Sequence, residues 1–156
     1  MEKWKGRVAL VSGASSGIGY AVCENLVKNG MKVVGAARRI DRLQTERLKN
    51  GVKLLIVLSH QVYPIPQLHF YTGTKFAVRA ISEGLRQELQ AINSNIKVTT
   101  VSPGLVKTEI LRNVPKSNPY KKILEINTCL KPEDIAVTVS QILSAPPYME
   151  ISNSRF

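Results

Sequence analysis

The sequence predicts an α/β fold in which helices cover both faces of a doubly wound parallel sheet. An apolar run, Val8 to Val11, is followed by a glycine-rich stretch from Gly13 to Gly19. Apolar residues then recur at helical spacing as far as Asn29, and a second apolar run extends from Lys32 to Ala37. Strand, helix and strand in this order form a βαβ unit, which in proteins is parallel and right-handed.

The composition is that of one folded domain. The chain has 156 residues, of which 44% are hydrophobic and 21% are charged. This length can bury a core, and this balance favours neither disorder nor a membrane protein. We therefore expect residues 1–156 to form a single domain. The apolar runs, such as Leu54 to Leu58, are too short to span a membrane.

The first three elements follow from the spacing of apolar residues. Arg7 to Ser12 is typical of a parallel strand that is buried on both faces. Gly17 to Asn29 is predicted as a helix, and Gly30 follows it as a left-handed stop. Lys32 to Ala37 is then predicted as the second strand.

Two more strands and a long helix are predicted in the middle of the chain. Val52 to Leu58 is aliphatic and β-branched, as in a buried strand, and a short polar helix over Ile40 to Asn50 precedes it. The loop from Ser59 to Leu68 contains two prolines. A helix from about Tyr71 to Ala91 and a fourth strand over Ile96 to Val101 follow. The apolar stripe of the long helix is expected to comprise Val78, Ile81, Leu85 and Leu89.

The last third of the chain is predicted to hold a long excursion and one helix. Residues 103–130 contain three prolines, and long loops after a strand commonly form lids or substrate walls. Lys131 begins a helix with Pro132 in its first turn, and Pro146 ends it. The polar end, Ser152 to Phe156, predicts no further strand.

The segment from Gly13 to Gly19 has the chemistry of a phosphate-binding loop. Glycines let the backbone approach a pyrophosphate closely, and the positive end of the following helix favours negative charge. The spacing is Gly-x-x-x-Gly-x-Gly, and its place between strand and helix predicts a dinucleotide site. The residues expected to bind the cofactor here are Gly13, Ser15, Ser16, Gly17, Ile18 and Gly19.

The end of the second strand bears on which nicotinamide cofactor is bound. An NAD site carries an acidic residue about 20 positions after the loop, where it binds the ribose 2′-hydroxyl. This chain has Arg38 and Arg39 there. Guanidinium groups suit a 2′-phosphate, so NADP(H) is expected and NAD(H) is the less favoured alternative. Two exposed arginines at a strand end are the simpler interpretation, and it stays open.

Tyr71 and Lys75 form the second motif with chemical meaning. Residues four apart share one face of a helix, so the Lys75 ammonium can lie near the Tyr71 side chain. A nearby positive charge favours phenolate and lowers the pKa of a tyrosine from about 10 toward the working range. The pair is therefore predicted to act as an acid or base in hydride transfer.

Together, three segments resemble the short-chain dehydrogenase/reductase family. They are Gly13 to Gly19, Tyr71 to Lys75, and Ser102 to Thr108, and they occur in family order. The sequence around Ala37 to Arg39 and Leu85 to Leu89 is most similar to the insect farnesol dehydrogenase-like members and the related 17β-hydroxysteroid dehydrogenase-like reductases. The resemblance implies a Rossmann-like sheet and a secondary alcohol or ketone as substrate, of steroid, isoprenoid or similar apolar type.

The resemblance also implies roles for single residues. Tyr71 would protonate a carbonyl oxygen or remove an alcohol proton. Lys75 would lower the pKa of Tyr71 and bind the nicotinamide ribose. Pro103, Gly104 and Thr108 would border the nicotinamide, and the segment after Thr108 would cover the substrate.

The chain departs from the family in length. Only 51 residues separate Gly19 from Tyr71. The family places two further βα units there, and at about 30 residues per unit more than about sixty residues are missing. We therefore expect an incomplete sheet, an internally deleted or truncated isoform that lacks two central βα units and also the C-terminal strand. The family serine has a substitute candidate in Ser59, which lies 12 residues before Tyr71.

The charge and the cysteines bear on partners and location. The net charge is +11, but the basic residues are scattered, which favours solvated surface over a nucleic-acid site. Cys23 and Cys129 lack the spacing of a metal or disulfide framework, so we expect no metal and two small buried thiols. The N-terminus lacks a secretory signal, and a cytoplasmic protein is expected.

The sequence leads to two main functional hypotheses and a third that is disfavoured. The first is an NADP(H)-dependent oxidoreductase. The second is a non-catalytic remnant that binds cofactor weakly or pairs with a full-length relative, since family dimers pack through the helix that holds Tyr71 and Lys75. A homo-oligomer is the corresponding expectation for a full enzyme. A third hypothesis, a basic nucleic-acid-binding module, would require salt-dependent binding to nucleic acid, and we expect none.

Overall fold

The computed structural model describes residues 1–37, 54–58, 69–109 and 128–155. Within these residues lie the strands β1 (Val8–Ser12), β2 (Lys32–Ala36), β3 (Leu54–Leu58), β4 (Lys97–Ser102) and β5 (Asn153–Arg155), and the helices α1 (Gly17–Lys28), α2 (His69–Ala91) and α3 (Pro132–Ser144). The chain divides into two compact units. Unit 1 comprises Met1–Asn50 and Leu105–Ala145, and unit 2 comprises Gly51–Gly104 and Pro146–Phe156.

Unit 1 contains the predicted βαβ unit. β1 and β2 pair in parallel, with Val8 opposite Lys32 and Ser12 opposite Ala36. α1 connects them and packs against α3, which confirms the first three predicted elements and the last helix. The buried apolar residues on the two helices are Ala21, Val22, Leu26, Ile135, Ala136, Val139, Ile142 and Leu143.

The prediction that the first strand is buried on both faces is wrong. Leu10, in the middle of β1, is 61% exposed, and β1 contains no buried residue. A parallel strand becomes fully buried only when helices cover both faces of its sheet. α1 contacts β1 and β2, while the Leu10 side chain faces solvent.

Unit 2 contains the second sheet, in which β4 is central. β3 pairs with β4 in parallel, with Leu54 opposite Lys97 and Leu58 opposite Val101. Val98 and Val101 of β4 have no exposed surface, and α2 packs on this strand. These elements confirm the predicted third and fourth strands and the long helix.

The predicted apolar stripe of α2 is wrong at Ile81, which is 70% exposed. Val78, Leu85 and Leu89 are partly buried, as expected. Among the described residues of α2, the buried ones are instead Ser82 and Arg86. The polar groups of both side chains are hydrogen-bonded, which is what permits polar residues to be buried here.

The expected loss of the C-terminal strand is also wrong. β5 pairs in parallel with β4, and Thr100 lies opposite Asn153. The Thr100 amide donates to the Ser152 carbonyl at 3.1 Å, and Thr99 Oγ1 donates to the Ile151 carbonyl at 2.7 Å. This strand is held by backbone hydrogen bonds rather than by apolar side chains, so its polar sequence carries no strand signal.

Some predictions fall on residues outside the described ranges. They include the polar helix over Ile40 to Asn50, the loop from Ser59 to Leu68 and most of the excursion within 103–130. In the part of the chain that is described, no helix combines the length and the apolar character that crossing a bilayer demands.

Candidate functional site

The glycine loop of unit 1 has the backbone that its sequence predicts. Gly13 and Gly17 have φ angles of +67° and +57°, which lie in the left-handed region that favours glycine. Ser16 is extended, and α1 begins at the next residue. The Ser16 side chain makes no capping hydrogen bond to α1. The first backbone amides of α1 lie at this helix end, and such an end is the type of site that binds phosphate.

Gly19 lies where only a glycine fits. A Cβ atom at this position would collide with the Gly13 carbonyl oxygen and lie 2.8 Å from the Gly13 carbonyl carbon. The first turn of α1 therefore packs directly on the backbone of the loop. This close contact explains the third glycine of the motif by sterics.

Thr108 forms a wall beside the loop within the same unit. A Cβ atom on Gly17 would be 3.4 Å from both Cβ and Cγ2 of Thr108, so the two residues are in van der Waals contact range. A parallel bridge between Val106 and Leu130 and a 2.9 Å hydrogen bond from the Lys107 amide to the Leu130 carbonyl hold this segment. The structure thus brings together Gly17 and Thr108, two predicted cofactor residues that are far apart in sequence.

A cavity of about 380 Å³ opens at this place. Its lining comprises Gly17, Tyr20, Ala21, Lys107, Thr108, Glu109, Pro132 and Glu133. The first turns of α1 and α3 both contribute to it, and so does the Lys107 side chain. Lys107 was not predicted as a site residue, although it lies within the family-like segment from Ser102 to Thr108.

Tyr71 and Lys75 lie in the first two turns of α2, in unit 2. Both are partly buried, and Lys75 Nζ lies 5.6 Å from the centroid of the Tyr71 ring. This is cation–π distance. The Thr74 hydroxyl donates to the Tyr71 carbonyl at 2.7 Å, one helical turn back. The predicted pair therefore shares a face of the helix.

The expected lowering of the Tyr71 pKa does not hold in this structure. Partial burial raises the pKa of the Tyr71 phenol above its ordinary value, because removal from water disfavours the phenolate. The Lys75 ammonium lies over the ring of the tyrosine. In this arrangement the phenol is the favoured form, which suits a proton donor.

Pro103 and Gly104 follow β4 and are buried in unit 2. Ser102, directly before them, is 1% exposed, and its hydroxyl has no hydrogen-bond partner in the described structure. A buried polar group without a partner usually marks a place where a ligand or water binds. From the sequence, Ser102 was expected only to begin the segment that ends at Thr108, and its burial without a hydrogen-bond partner was not predicted.

Three predicted site residues, Ser59, Arg38 and Arg39, lie outside the described residues. Cys23 and Cys129, expected to be buried, are of intermediate exposure. Over residues 1–37, 69–109 and 128–152, no cluster of three or more His, Cys, Asp or Glu side chains could hold a metal ion.

Comparison with known sequences decides the family. The sequence profile of the short chain dehydrogenase family matches residues 7–58 and 49–119. The chain belongs to this family. The match falls into two pieces, as expected of a family member that lacks an internal stretch.

Two curated relatives extend this result. The chain is 30% identical over 245 residues to "Dehydrogenase/reductase SDR family member 11" of Gallus gallus, covering 98% of this chain and 96% of the relative. It is 28% identical over 240 residues to "Farnesol dehydrogenase" of Aedes aegypti, covering 97% and 95%. Since the chain has 156 residues, at least 89 of the 245 aligned positions, the difference between the two lengths, have no residue here. This difference agrees with the expected internal deletion.

Solved structures show the same fold. The closed form of a serine dehydrogenase complexed with NADP⁺ superposes with a TM-score of 0.81 at 19% identity, over 96% of this chain and 94% of that one. A 4-hydroxyisoleucine dehydrogenase complexed with NADH gives a TM-score of 0.72 at 14% identity, over 97% of each chain. The fold is therefore Rossmann-like, and the two small parallel sheets described here are a partial version of it.

Proposed function

We propose that the chain is an NADP(H)-dependent oxidoreductase that interconverts a secondary alcohol and a ketone by hydride transfer. The observation that carries the proposal is the contact of Gly19 with the Gly13 backbone next to the Gly17–Thr108 contact. The loop backbone packs on the first turn of α1 with no side chain at these three positions, so the residues present fit a dinucleotide diphosphate at the helix end.

The chain's own residues would hold the cofactor in a defined way. The amides of Gly13 to Gly19 and the positive end of α1 would bind the diphosphate, with the Ser15 and Ser16 hydroxyls as partners. Thr108, Pro103 and Gly104 would border the nicotinamide, and the buried Ser102 hydroxyl, which has no partner in the described structure, directly precedes Pro103 in the chain. When bound, the nicotinamide supplies the capacity to accept or give a hydride.

Arg38 and Arg39 support NADP(H) over NAD(H). Both follow β2 at the position where an NAD site carries an acid, and a guanidinium pairs well with a 2′-phosphate. We expect Arg38→Ala combined with Arg39→Ala to weaken NADPH binding and to leave NADH binding nearly unchanged. Equal losses for both cofactors would speak against this role.

Tyr71 is the proposed proton donor in the direction of reduction. Its phenol is favoured by burial, so at neutral pH it holds the proton that a developing alkoxide needs. Lys75 would stabilise the phenolate that remains and would bind the nicotinamide ribose. Ser59 is the proposed hydrogen-bond donor to the carbonyl oxygen.

The named relatives support a substrate class. Aedes aegypti farnesol dehydrogenase, by its name, acts on an isoprenoid alcohol, and this chain resembles it over most of its length. We therefore propose an apolar alcohol or ketone of isoprenoid or steroid type. Turnover of NADPH with a panel of such ketones tests the proposal, and activity should disappear in Tyr71→Phe. Turnover that survives Tyr71→Phe would refute the proposed mechanism.

The second hypothesis is a non-catalytic remnant that binds cofactor weakly or pairs with a full-length relative, and one observation supports the pairing. Phe70, Ile81 and Ile92 are 87%, 70% and 73% exposed, and they are spaced eleven residues apart, about three helical turns. They form one exposed apolar line: Phe70 and Ile81 lie on α2, and Ile92 directly follows the end of the helix at Ala91. NADPH binding without turnover over the whole panel would select this hypothesis. A cytoplasmic location is proposed for either case.

A further inference from the structure

Arg86 is a buried charged residue for which the proposed chemistry has no use. It lies near the C-terminal end of α2 in unit 2, and the residue is 8% exposed. Arginine is almost never this buried unless its charge and its five N–H groups are paired. Its partners therefore indicate what the side chain does.

The Arg86 guanidinium joins α2 to β4 and to Ser152, the residue directly before β5. Nε and Nη2 donate to the Val98 carbonyl of β4 at 3.2 and 3.0 Å, and Nη2 also donates to the Ser152 carbonyl at 2.9 Å. Nη1 donates to Glu83 in the preceding turn, and Glu150 Oε1 lies 3.6 Å from Nε. Two carboxylates thus balance the charge, while the carbonyl contacts fix the position of the side chain.

Apolar packing alone does little to fix the rotation of α2 about its axis. In the described helix the fully buried residues are Ser82 and Arg86, whereas Val78, Leu85 and Leu89 are only partly buried. A planar guanidinium that donates to carbonyls on two different segments is directional, unlike an apolar contact. The orientation of α2 relative to β4 therefore depends strongly on Arg86.

The same rotation sets where the catalytic pair lies. Lys75 precedes Arg86 by eleven residues, about three turns, so the two share a face of the helix. Tyr71 lies one turn before Lys75. Any turn of the helix about its axis moves all three side chains together.

We propose that Arg86 is a positioning residue that fixes the rotation of α2 and thereby the direction in which Tyr71 and Lys75 point. Its catalytic meaning rests on the proposed function. The geometric part concerns the chain alone, so it is tested without cofactor or substrate.

The test follows the titration of Tyr71 by NMR in the full chain labelled with ¹³Cζ-tyrosine. Tyr71→Phe assigns the resonance, and the variants are Arg86→Met, Arg86→Lys and Arg79→Met. Arg79 is the matched control, because it lies about 12 Å along the helix from Tyr71 and Arg86 lies about 22 Å away. A purely Coulombic effect would be larger for the nearer arginine, and losing a cation would raise the pKa of a phenol.

The proposal predicts that the Tyr71 pKa falls rather than rises, and that the effect is larger for Arg86 than for the nearer Arg79. In Arg86→Met, Tyr71 loses part of its burial, so its pKa falls toward the ordinary value of about 10. Arg86→Lys shows a fall in the same direction, because an ammonium cannot reproduce the forked contacts. Arg79→Met shows no fall. If Arg86→Met does not fold, the Tyr71 titration in Arg86→Lys decides whether the proposal holds.

An unchanged Tyr71 titration in a folded Arg86 variant would overturn the proposal, and so would an equal fall in Arg79→Met. A chain that binds no NADPH would refute the proposed function and leave this result standing. Where turnover is measurable, Arg86→Lys should lower kcat by a larger factor than it raises the KM for cofactor, since the glycine loop is untouched and only the Lys75 contact to the cofactor would move.

Discussion

Two glycines of this chain have opposite surroundings, and the same substitution should have opposite effects at them. Gly19→Ala places a methyl group against the Gly13 carbonyl, and such overpacking costs roughly 1–3 kcal/mol. At Gly84, within α2, an added Cβ would meet no atom within 4 Å beyond its chain neighbours and the nearby backbone of its own helix, so Gly84→Ala should stabilise by roughly 0.5–1 kcal/mol. Chemical denaturation of both variants measures the difference. A Gly19→Ala variant as stable as wild type would show that α1 does not pack on the loop.

At Tyr71, the sign of the pH dependence follows from burial. The folded chain raises the pKa of this phenol, so its contribution to stability is complete below the unfolded value of about 10 and is lost as the pH rises through the folded value. The unfolding free energy of wild type should therefore fall more steeply above about pH 10 than that of Tyr71→Phe. Tyr148→Phe, at a residue that is 89% exposed, is the control and should follow wild type. Parallel curves for all three proteins would contradict the burial of Tyr71.

Among the elements, α3 offers a direct test of the packing in unit 1. On α3, which packs against α1, Val139 is 4% exposed and Val137 is 48% exposed. Val139→Ala removes two buried carbon atoms and should cost roughly 2 kcal/mol. Val137→Ala should change the unfolding free energy by less than about 0.5 kcal/mol. Equal effects in thermal denaturation would mean that α3 does not pack as described.

Elements with a clear run or stripe of apolar residues were predictable from sequence, and elements held by polar contacts were not. β1, α1, β2 and α3 have runs or stripes of apolar residues, and their positions were confirmed within a residue or two. β5 was missed because its hydrogen bonds are made by the backbone, which leaves no pattern in the side chains. The buried face of α2 was misassigned at Ile81 because Ser82 and Arg86 occupy it.

The features of the candidate site also divide into those that the sequence predicts and those that it does not. The left-handed glycines and the shared face of Tyr71 and Lys75 follow from residue type and spacing. The contact between Gly17 and Thr108 joins residues far apart in sequence, so the residues alone could not give it. The raised pKa of Tyr71 depends on burial, which a helical spacing does not report.

For the whole molecule, the exposed apolar line of Phe70, Ile81 and Ile92 predicts self-association. Contiguous exposed apolar surface marks interaction sites, and we expect this line to serve as one. Ile81→Lys should shift the chain toward monomer in sedimentation velocity, because a charge cannot be buried there without a partner. Val137→Lys, at an exposed valine of α3, should leave the distribution unchanged. A wild-type chain that stays monomeric at all concentrations would contradict the prediction.

Isothermal titration of NADPH into the whole chain tests whether the glycine loop holds a nicotinamide nucleotide. We expect saturable binding that is lost in Gly19→Ala, retained in Gly84→Ala and retained in Tyr71→Phe. A folded wild-type chain that binds no NADPH or NADH at about millimolar concentration, where RT ln K corresponds to only about 4 kcal/mol, would contradict it.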